Sequence, residues 1–128
     1  MKFMLLCYDD EQAWQSAGKA ALDAAMNEAR QLAHDLHAKG QYILASPLHG
    51  AETATSVRLR NGKRIVTDGP FAETREVLGG FYIIDVPTKQ EALAIAARHP
   101  GAQVGTVEVR PILEIPNLPD RALDSAIA

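Results

Sequence analysis

The chain has 128 residues, of which 47% are hydrophobic and 23% charged, and its net charge is −3. This length and apolar content suit one domain that buries its own core without disulfides or a structural metal. The lack of a basic surplus argues against a nucleic-acid-binding protein, so a small or neutral partner is expected. Cys7, the only cysteine, lies in an apolar run, where a buried and unreactive thiol is expected.

The N-terminal third of the chain predicts a buried strand followed by one long helix. Residues 2–8 are almost wholly apolar and stop at the Asp9-Asp10 pair, which is typical of a strand at the centre of a sheet. This run is too short for a signal peptide or a membrane span, so we expect a cytoplasmic protein. Over residues 20–39 apolar side chains recur at helical spacing, and Gly40 supplies a left-handed C-terminal cap.

The middle of the chain predicts a short strand and then a two-stranded ribbon. Residues 42–45 form the short apolar strand. Residues 55–67 alternate apolar and polar side chains around Asn61-Gly62, which is the strongest short hairpin signal. We therefore expect a hairpin with one polar face, followed by a loop over residues 68–80.

The last third of the chain predicts a strand, a helix, a final strand and a tail. Residues 81–86 form an apolar strand, and Thr88 with Glu91 fits the capping box of a helix start. Residues 106–112 alternate as the last strand. We assign residues 114–128, which contain two prolines, to an extended C-terminal tail.

The predicted fold class is α+β. Without the hairpin, the order of elements is strand, helix, strand, strand, helix, strand, which is the ferredoxin-like split βαβ arrangement, and the hairpin is an insertion before its third strand. We assign residues 1–113 to this one domain. Two helices cover only one face of an antiparallel sheet, and burial of the other face needs a second subunit. We therefore expect a homodimer whose sheets face one another.

The most distinctive motif lies at residues 66–76, which read VTDGPFAETRE, with LGGFY just after it. Together with residues 53–58 and 105–111, it resembles the signature of the bacterial DGPF family within the YCII-related superfamily. The resemblance covers residues 1 to about 113. It implies a dimeric α+β barrel made of two ferredoxin-like units, which agrees with the predicted order of elements.

The functional content of this resemblance is smaller. Some YCII-like relatives use a His on the first helix and an Asp after the second strand as a general acid/base pair. Here residues 27–30 read NEAR, without His, and residues 48–50 read LHG, without Asp, so neither this dyad nor the relatives' hydrolase or dehalogenase role carries over. DGPF-type proteins are also similar to products encoded beside extracytoplasmic-function sigma factors, which implies a regulatory role with a sigma factor as partner.

Two residues are the candidates for acid/base catalysis. Asp68 is one, because Gly69 lets a ligand approach the backbone and Phe71 offers an apolar wall, with Pro70 completing the ligand-binding turn. The structural alternative is that Pro70 begins a short helix that Asp68 caps. His49 is the other candidate, since a histidine in a loop near a strand end is suited to acid/base work at neutral pH, and the alternative is an ordinary exposed loop histidine.

Glu73, Arg58 and Tyr82 complete the predicted ligand site. Glu73 and Glu76 would share one face of a helical turn, either as an acid/base pair or as solvated charges balanced by Arg75. Arg58 would grip a carboxylate with its guanidinium fork or form a salt bridge with a glutamate. Tyr82 would line the pocket or pack in the core.

The sequence contains no signature of a metal or cofactor site. It has no Gly-rich phosphate loop, no nucleophile elbow and no Cys/His metal set. We assign His34, His37 and His99 structural roles near helix ends, where positive charge is favourable. Three functions then remain. The first is a small-molecule-binding protein or enzyme with its acid/base site at the loop that contains Asp68-Gly69-Pro70-Phe71 and continues to Glu76, which we call the DGPF loop. The others are a regulatory interaction module and a structural dimeric domain.

Overall fold

The computed structural model describes residues 1–119, which form a four-stranded antiparallel sheet, a separate two-stranded ribbon and four α-helices. The strands are β1 (Lys2–Asp9), β2 (Tyr42–Pro47), β3 (Thr55–Arg60), β4 (Lys63–Asp68), β5 (Val77–Asp85) and β6 (Thr106–Pro111). The helices are α1 (Glu11–Ala17), α2 (Lys19–Ala38), α3 (Lys89–Arg98) and α4 (Gly101–Val104), and a 3-10 turn spans Ala51–Thr53. The mixed α+β class is therefore as predicted.

The main sheet has the order β2-β5-β1-β6, and every neighbouring pair is antiparallel. Burial alternates along β1, because successive side chains point to opposite faces of the sheet. Phe3, Leu5 and Cys7 face the helices and are buried. Met4 and Leu6 face the other way and are half-buried. The nearly continuous apolar run of β1 predicted burial on both faces. Within a single chain only one face is covered.

The core lies where the C-terminal half of α2 and the inner face of α3 meet the sheet. Its helical members are Leu32, Leu36, Ala92, Ile95 and Ala96. The N-terminal half of α2 is packed less closely, since Leu22 and Met26 remain 41% and 39% exposed. The long helix therefore covers the sheet tightly at one end only.

Three local features predicted from the sequence are confirmed. Thr88 caps α3 by accepting a hydrogen bond from the backbone N–H of Glu91. Gly40 has a φ of 71° just after α2, as a left-handed cap requires. Asn61 and Gly62 have φ values of 51° and 75° between β3 and β4, the geometry of a tight hairpin turn.

The prediction of one loop over residues 68–80 was wrong at its C-terminal end. β5 begins at Val77, and its first residues pair with β1 after a bulge between Cys7 and Tyr8. The prediction placed the Gly79-Gly80 pair at the end of this loop. In the structure a Cβ at Gly80 would lie 3.0 Å from the Ser46 carbonyl oxygen, so glycine lets β2 approach β5 closely.

Two short helices, α1 and α4, were not predicted, and the short helix that was considered at Pro70 is absent. α1 has seven residues and buries no side chain, so it has no apolar periodicity to detect. No helix begins at Pro70, which excludes the interpretation of Asp68 as the cap of a short helix there.

The C-terminal segment begins as an extension of the sheet. The Ile112 N–H donates to the Lys2 carbonyl, and the Lys2 ammonium pairs with Glu114. Residues 120–128 of the predicted tail lie outside the described part of the chain. None of the helices in residues 1–119 is long and apolar enough to cross a membrane.

Candidate functional site

A cleft of about 1140 Å³ lies between α1, the N-terminal half of α2 and the helix-facing side of the sheet. Its apolar wall on α2 consists of Leu22, Ala25, Met26, Ala29 and Ala33. These side chains are mostly small or only partly covered, so the helix leaves open space above the sheet. The polar residues that line the cleft include Asp9 at the end of β1, Trp14 on α1, and His49 and His99 in loops.

Asp9 stands at the C-terminal end of β1 in the wall of this cleft. Its Oδ2 accepts a hydrogen bond of 2.7 Å from the indole N–H of Trp14. Burial raises the pKa of Asp9 above its ordinary value, and the charges of Asp10 and Glu76 also raise it, whereas the Trp14 hydrogen bond opposes the shift. A Cβ on Gly79 would lie 3.1 Å from Oδ1, so the glycine leaves room for the carboxyl group.

Helix α1 covers one end of the cleft and is held there by polar contacts. The Glu11 carboxylate accepts a hydrogen bond of 3.1 Å from the Ala51 N–H. Asp10 caps the helix and pairs with Arg75 at 3.1 Å, and the Arg75 hydrogen bond is the main reason why the pKa of Asp10 is lowered. These contacts fix Trp14 over Asp9 and tie α1 to the DGPF loop.

His99, which follows α3, lies on the floor of the cleft beside Cys7 and Tyr82. Its Nδ1 accepts a hydrogen bond of 3.0 Å from the Gly101 N–H, and its Nε2 is 3.8 Å from Cys7 Sγ. Burial lowers the pKa of His99. Burial and the charge of Asp9 raise the pKa of Cys7 to about 12, so its sulfur is a thiol and not a nucleophilic thiolate at neutral pH.

Two of the eight predicted site residues line the cleft, namely His49 and Tyr82. His49 is exposed in the loop after β2. Tyr82 lies in the middle of β5, where its hydroxyl donates to the Ala29 carbonyl at 2.7 Å and burial raises its pKa. Tyr82 therefore contributes to the core and to the cleft floor together, and the two roles weighed from the sequence coincide.

The other six predicted residues lie at the ribbon or in the loop after it, and none of them lines the cleft: Arg58, Asp68, Gly69, Pro70, Phe71 and Glu73. Arg58, Pro70 and Phe71 border a smaller pocket of about 260 Å³, and the Phe71 side chain is 80% exposed. Gly69 has a φ of 103° and its N–H donates to the Ala54 carbonyl at 2.7 Å, which closes the base of the ribbon. Asp68 is exposed opposite Thr55.

Sequence reasoning missed Asp9, Trp14 and His99 as members of one site. The signal for Asp9 was available, because an acidic residue that ends a central buried strand lies at the edge of the sheet beside the helices. For Trp14, which lies in a polar segment before the long helix, the sequence suggested two roles, folding over the mouth of a pocket or covering the core, but it did not connect the residue with Asp9. No local pattern in the sequence predicted the position of His99 in the site, because it contacts Cys7, which lies 92 residues away along the chain.

Comparison with known proteins gives two matches. The YCII-related domain matches residues 1–116, from the first strand to beyond the last. A protein of Rhizobium meliloti (strain 1021), named uncharacterized protein R00369, is 34% identical over 114 residues, which cover 88% of this chain and 92% of the relative. The residues matched by the YCII-related domain include every residue that lines the cleft, from Cys7 to Gly101.

Proposed function

This chain belongs to the YCII-related domain family, and we propose that it binds a small molecule in a cleft where Asp9 serves as the proton-transfer group. The observation that carries the proposal is the Asp9 carboxyl group, half-buried in the wall of an apolar cleft and hydrogen-bonded to Trp14. A carboxyl group whose pKa is raised exchanges its proton closer to neutral pH, as acid/base catalysis requires. In this proposal Asp9 takes the role that the sequence gave to Asp68, and His49 stays a second candidate at the rim.

We assign the DGPF loop a supporting role. Its Arg75 pairs with Asp10, the residue that caps α1 and directly follows Asp9. The loop would thereby keep α1 and Trp14 in place over the cleft. The motif itself supports membership of the DGPF subfamily, and the strand order β2-β5-β1-β6 is the order that a ferredoxin-like split βαβ unit produces.

Binding in the cleft is testable with the neutral dye Nile red, whose fluorescence increases in apolar surroundings. We expect the wild-type protein to bind it and Ala25→Phe to weaken binding about tenfold, because the larger side chain fills the cleft. Ala24→Phe is the matched control, since Ala24 is exposed on the same helix and does not line the cleft. Equal dye binding by both variants and the wild type would contradict the proposal.

We also propose that two copies of the chain associate through the sheet face that carries no helix. On this face Leu44 is 45% exposed, and Met4, Leu6, Phe81 and Ile83 are only half-buried. A sheet with one uncovered apolar face is typical of a protein that buries this face against a partner. Such a pair would form the dimeric α+β barrel implied by the family resemblance.

The ribbon of β3 and β4 supports the same association. Val57, Leu59 and Val66 lie on one face of it and are 62%, 68% and 50% exposed. The ribbon packs closely against no other helix or strand of residues 1–119, and a two-stranded hairpin is only marginally stable alone. It carries four basic side chains and one acidic one, a net charge of +3, which leaves −6 on the rest of a chain whose total is −3. The body of a second copy therefore complements its charge.

Analytical ultracentrifugation at micromolar concentration tests this association. We expect a dimer for the wild type and a monomer for Leu44→Lys, because a charge would be buried between the sheets. Leu93→Lys is the control, since Leu93 is equally exposed, at 47% against 45%, but lies on α3. A monomeric wild type, or a dimer that Leu44→Lys leaves intact, would exclude the sheet-to-sheet arrangement.

A further inference from the structure

The imidazole ring of His99 is held in one tautomer. The backbone N–H of Gly101 points at Nδ1 at 3.0 Å, and an amide N–H can only donate a hydrogen bond. Nδ1 must therefore present its lone pair, and the neutral ring carries its proton on Nε2. An edge-on contact with Tyr82, with ring centroids 5.4 Å apart, fixes the orientation of the ring.

The Nε2–H group of His99 has only a weak partner in the described residues. The nearest acceptor is Cys7 Sγ at 3.8 Å, and sulfur accepts hydrogen bonds poorly. Burial lowers the pKa of His99, so the ring stays neutral at physiological pH and keeps the same donor. A half-buried donor with so weak a partner, on the floor of a cleft, gains most from a better acceptor on a ligand.

We propose that His99 Nε2–H is the donor that recognises a neutral oxygen acceptor, such as a carbonyl group, on an apolar ligand in the cleft. This assignment rests on the ligand-binding function proposed above. It names the substrate class of that site: an uncharged, largely apolar molecule that carries a carbonyl or a comparable oxygen.

The charges around the cleft favour a neutral ligand. The carboxyl groups of Asp9, at the end of β1, and Glu11, at the start of α1, belong to residues that line the cleft, and they would repel an anion. Lys19 and Arg30 also line the cleft, but they are exposed on α2, so solvent and salt screen their attraction for an anionic ligand. The guanidinium of Arg58, which the sequence suggested as a carboxylate clamp, lies at the ribbon pocket and not here.

His99 and Asp9 flank the same thiol. Cys7 Sγ is 3.8 Å from His99 Nε2, and the Asp9 charge contributes to the raised pKa of Cys7. A donor for an oxygen atom and a carboxyl group for proton exchange therefore both line this cleft. This arrangement gives a carbonyl compound two points of recognition.

The test compares two probes of equal shape, cyclohexanone and methylenecyclohexane, in which a CH₂ group replaces the ketone oxygen. Binding is followed by NMR through the Trp14 indole N–H and the ring nitrogens of ¹⁵N-labelled histidine. We expect His99 to carry its proton on Nε2, and the ketone to bind roughly 2- to 10-fold more tightly than the hydrocarbon, the gain from one net hydrogen bond. Ketone binding should also shift the Nε2 resonance of His99.

Two variants separate the donor from the shape of the ring. Both His99→Gln and His99→Phe lose the acceptor for Gly101, so any effect of that loss on folding is shared. Glutamine keeps an N–H donor near the Nε2 position, whereas phenylalanine keeps only a ring against Tyr82. We expect glutamine to keep the preference for the ketone and phenylalanine to abolish it.

The outcomes distinguish this assignment from the proposed function. If both probes bind the wild type equally, or if His99→Phe keeps the ketone preference, the role of His99 is overturned and the ligand-binding cleft stands. The same holds if Nile red binds but the ketone does not. If neither probe nor Nile red binds, the cleft is no ligand site and both proposals fail.

Discussion

Replacing Asp9 by asparagine is expected to abolish the change in Trp14 fluorescence that accompanies acidification of the wild-type protein. Trp14 is the only tryptophan of the chain, and its indole N–H donates to the Asp9 carboxylate at 2.7 Å. Protonation of the carboxyl group alters this hydrogen bond and hence the emission. Because burial raises the pKa of Asp9, the midpoint should lie above the ordinary value of 3.8.

Asp9→Asn should also change how the stability of the protein depends on pH, and the sign of this change follows from the raised pKa of Asp9 in the folded chain. With its pKa raised, Asp9 binds a proton more tightly in the folded than in the unfolded chain. Wild-type stability should therefore fall as the pH rises from 3.8 through the pKa of folded Asp9, and above that pKa the penalty of a half-buried charge is complete. Asp9→Asn removes this titration, so it should flatten that window and stabilise the protein at pH 7.

Urea unfolding at a series of pH values measures this effect. Asp10 and Glu76, the charged neighbours of Asp9, are unchanged in the variant, so the difference between the two curves isolates Asp9. Asp68→Asn is the control, because this exposed ribbon residue should change stability by less than about 0.5 kcal/mol and leave the fluorescence titration intact. The assignment of the site would be wrong if Asp68→Asn, and not Asp9→Asn, removed the titration.

Gly105→Ala is expected to destabilise the fold by about 3 kcal/mol. This is the upper end of the range for an added methyl group in a closely packed place, because here the backbone itself would have to shift. A Cβ at Gly105, just before β6, would collide with the carbonyl oxygen of Tyr8 and lie 3.0 Å from the Asp9 Cα. Both atoms belong to the backbone of β1, so β6 would have to move away from the central strand. Such a movement would also displace Asp9 from its place in the cleft.

A matched glycine separates crowding against backbone from crowding against a side chain. At Gly50 the three atoms nearest to an added Cβ all belong to the carboxylate of Glu52, which can turn towards solvent. Gly50→Ala should therefore cost less than about 1 kcal/mol in urea unfolding. An equally small cost for Gly105→Ala would show that β6 adjusts freely and that the close approach is unimportant.

Local signals in the sequence were sufficient for much of the fold. The turn at Asn61-Gly62, the cap at Thr88 and the end of the long helix at Gly40 each depend on a few adjacent residues. The same is true of the order of the main strands and helices, because each has a clear apolar period. Where burial is slight, as in α1, the period disappears and the helix went undetected.

The candidate site could be predicted only in part, because its residues come together through tertiary contacts. His49 and Tyr82 were identified, but Asp9 had been interpreted only as the end of a strand and His99 as the end of a helix. The DGPF motif drew attention to Asp68, since a motif marks residues that a family shares without separating those that shape a loop from those that bind a ligand. In the structure Arg75 of this motif is connected to the cleft indirectly, through its ion pair with Asp10, the neighbour of Asp9.

The way in which α1 is attached bears on how fast a ligand enters and leaves. This helix buries no side chain, and hydrogen bonds and one ion pair hold it over the end of the cleft. Segments anchored in this way open locally at a free energy far below that of global unfolding. Exchange with solvent can then proceed while the sheet stays intact, and the association rate includes the fraction of time that α1 is open. Seven residues outside the core would thus set the residence time of the bound molecule.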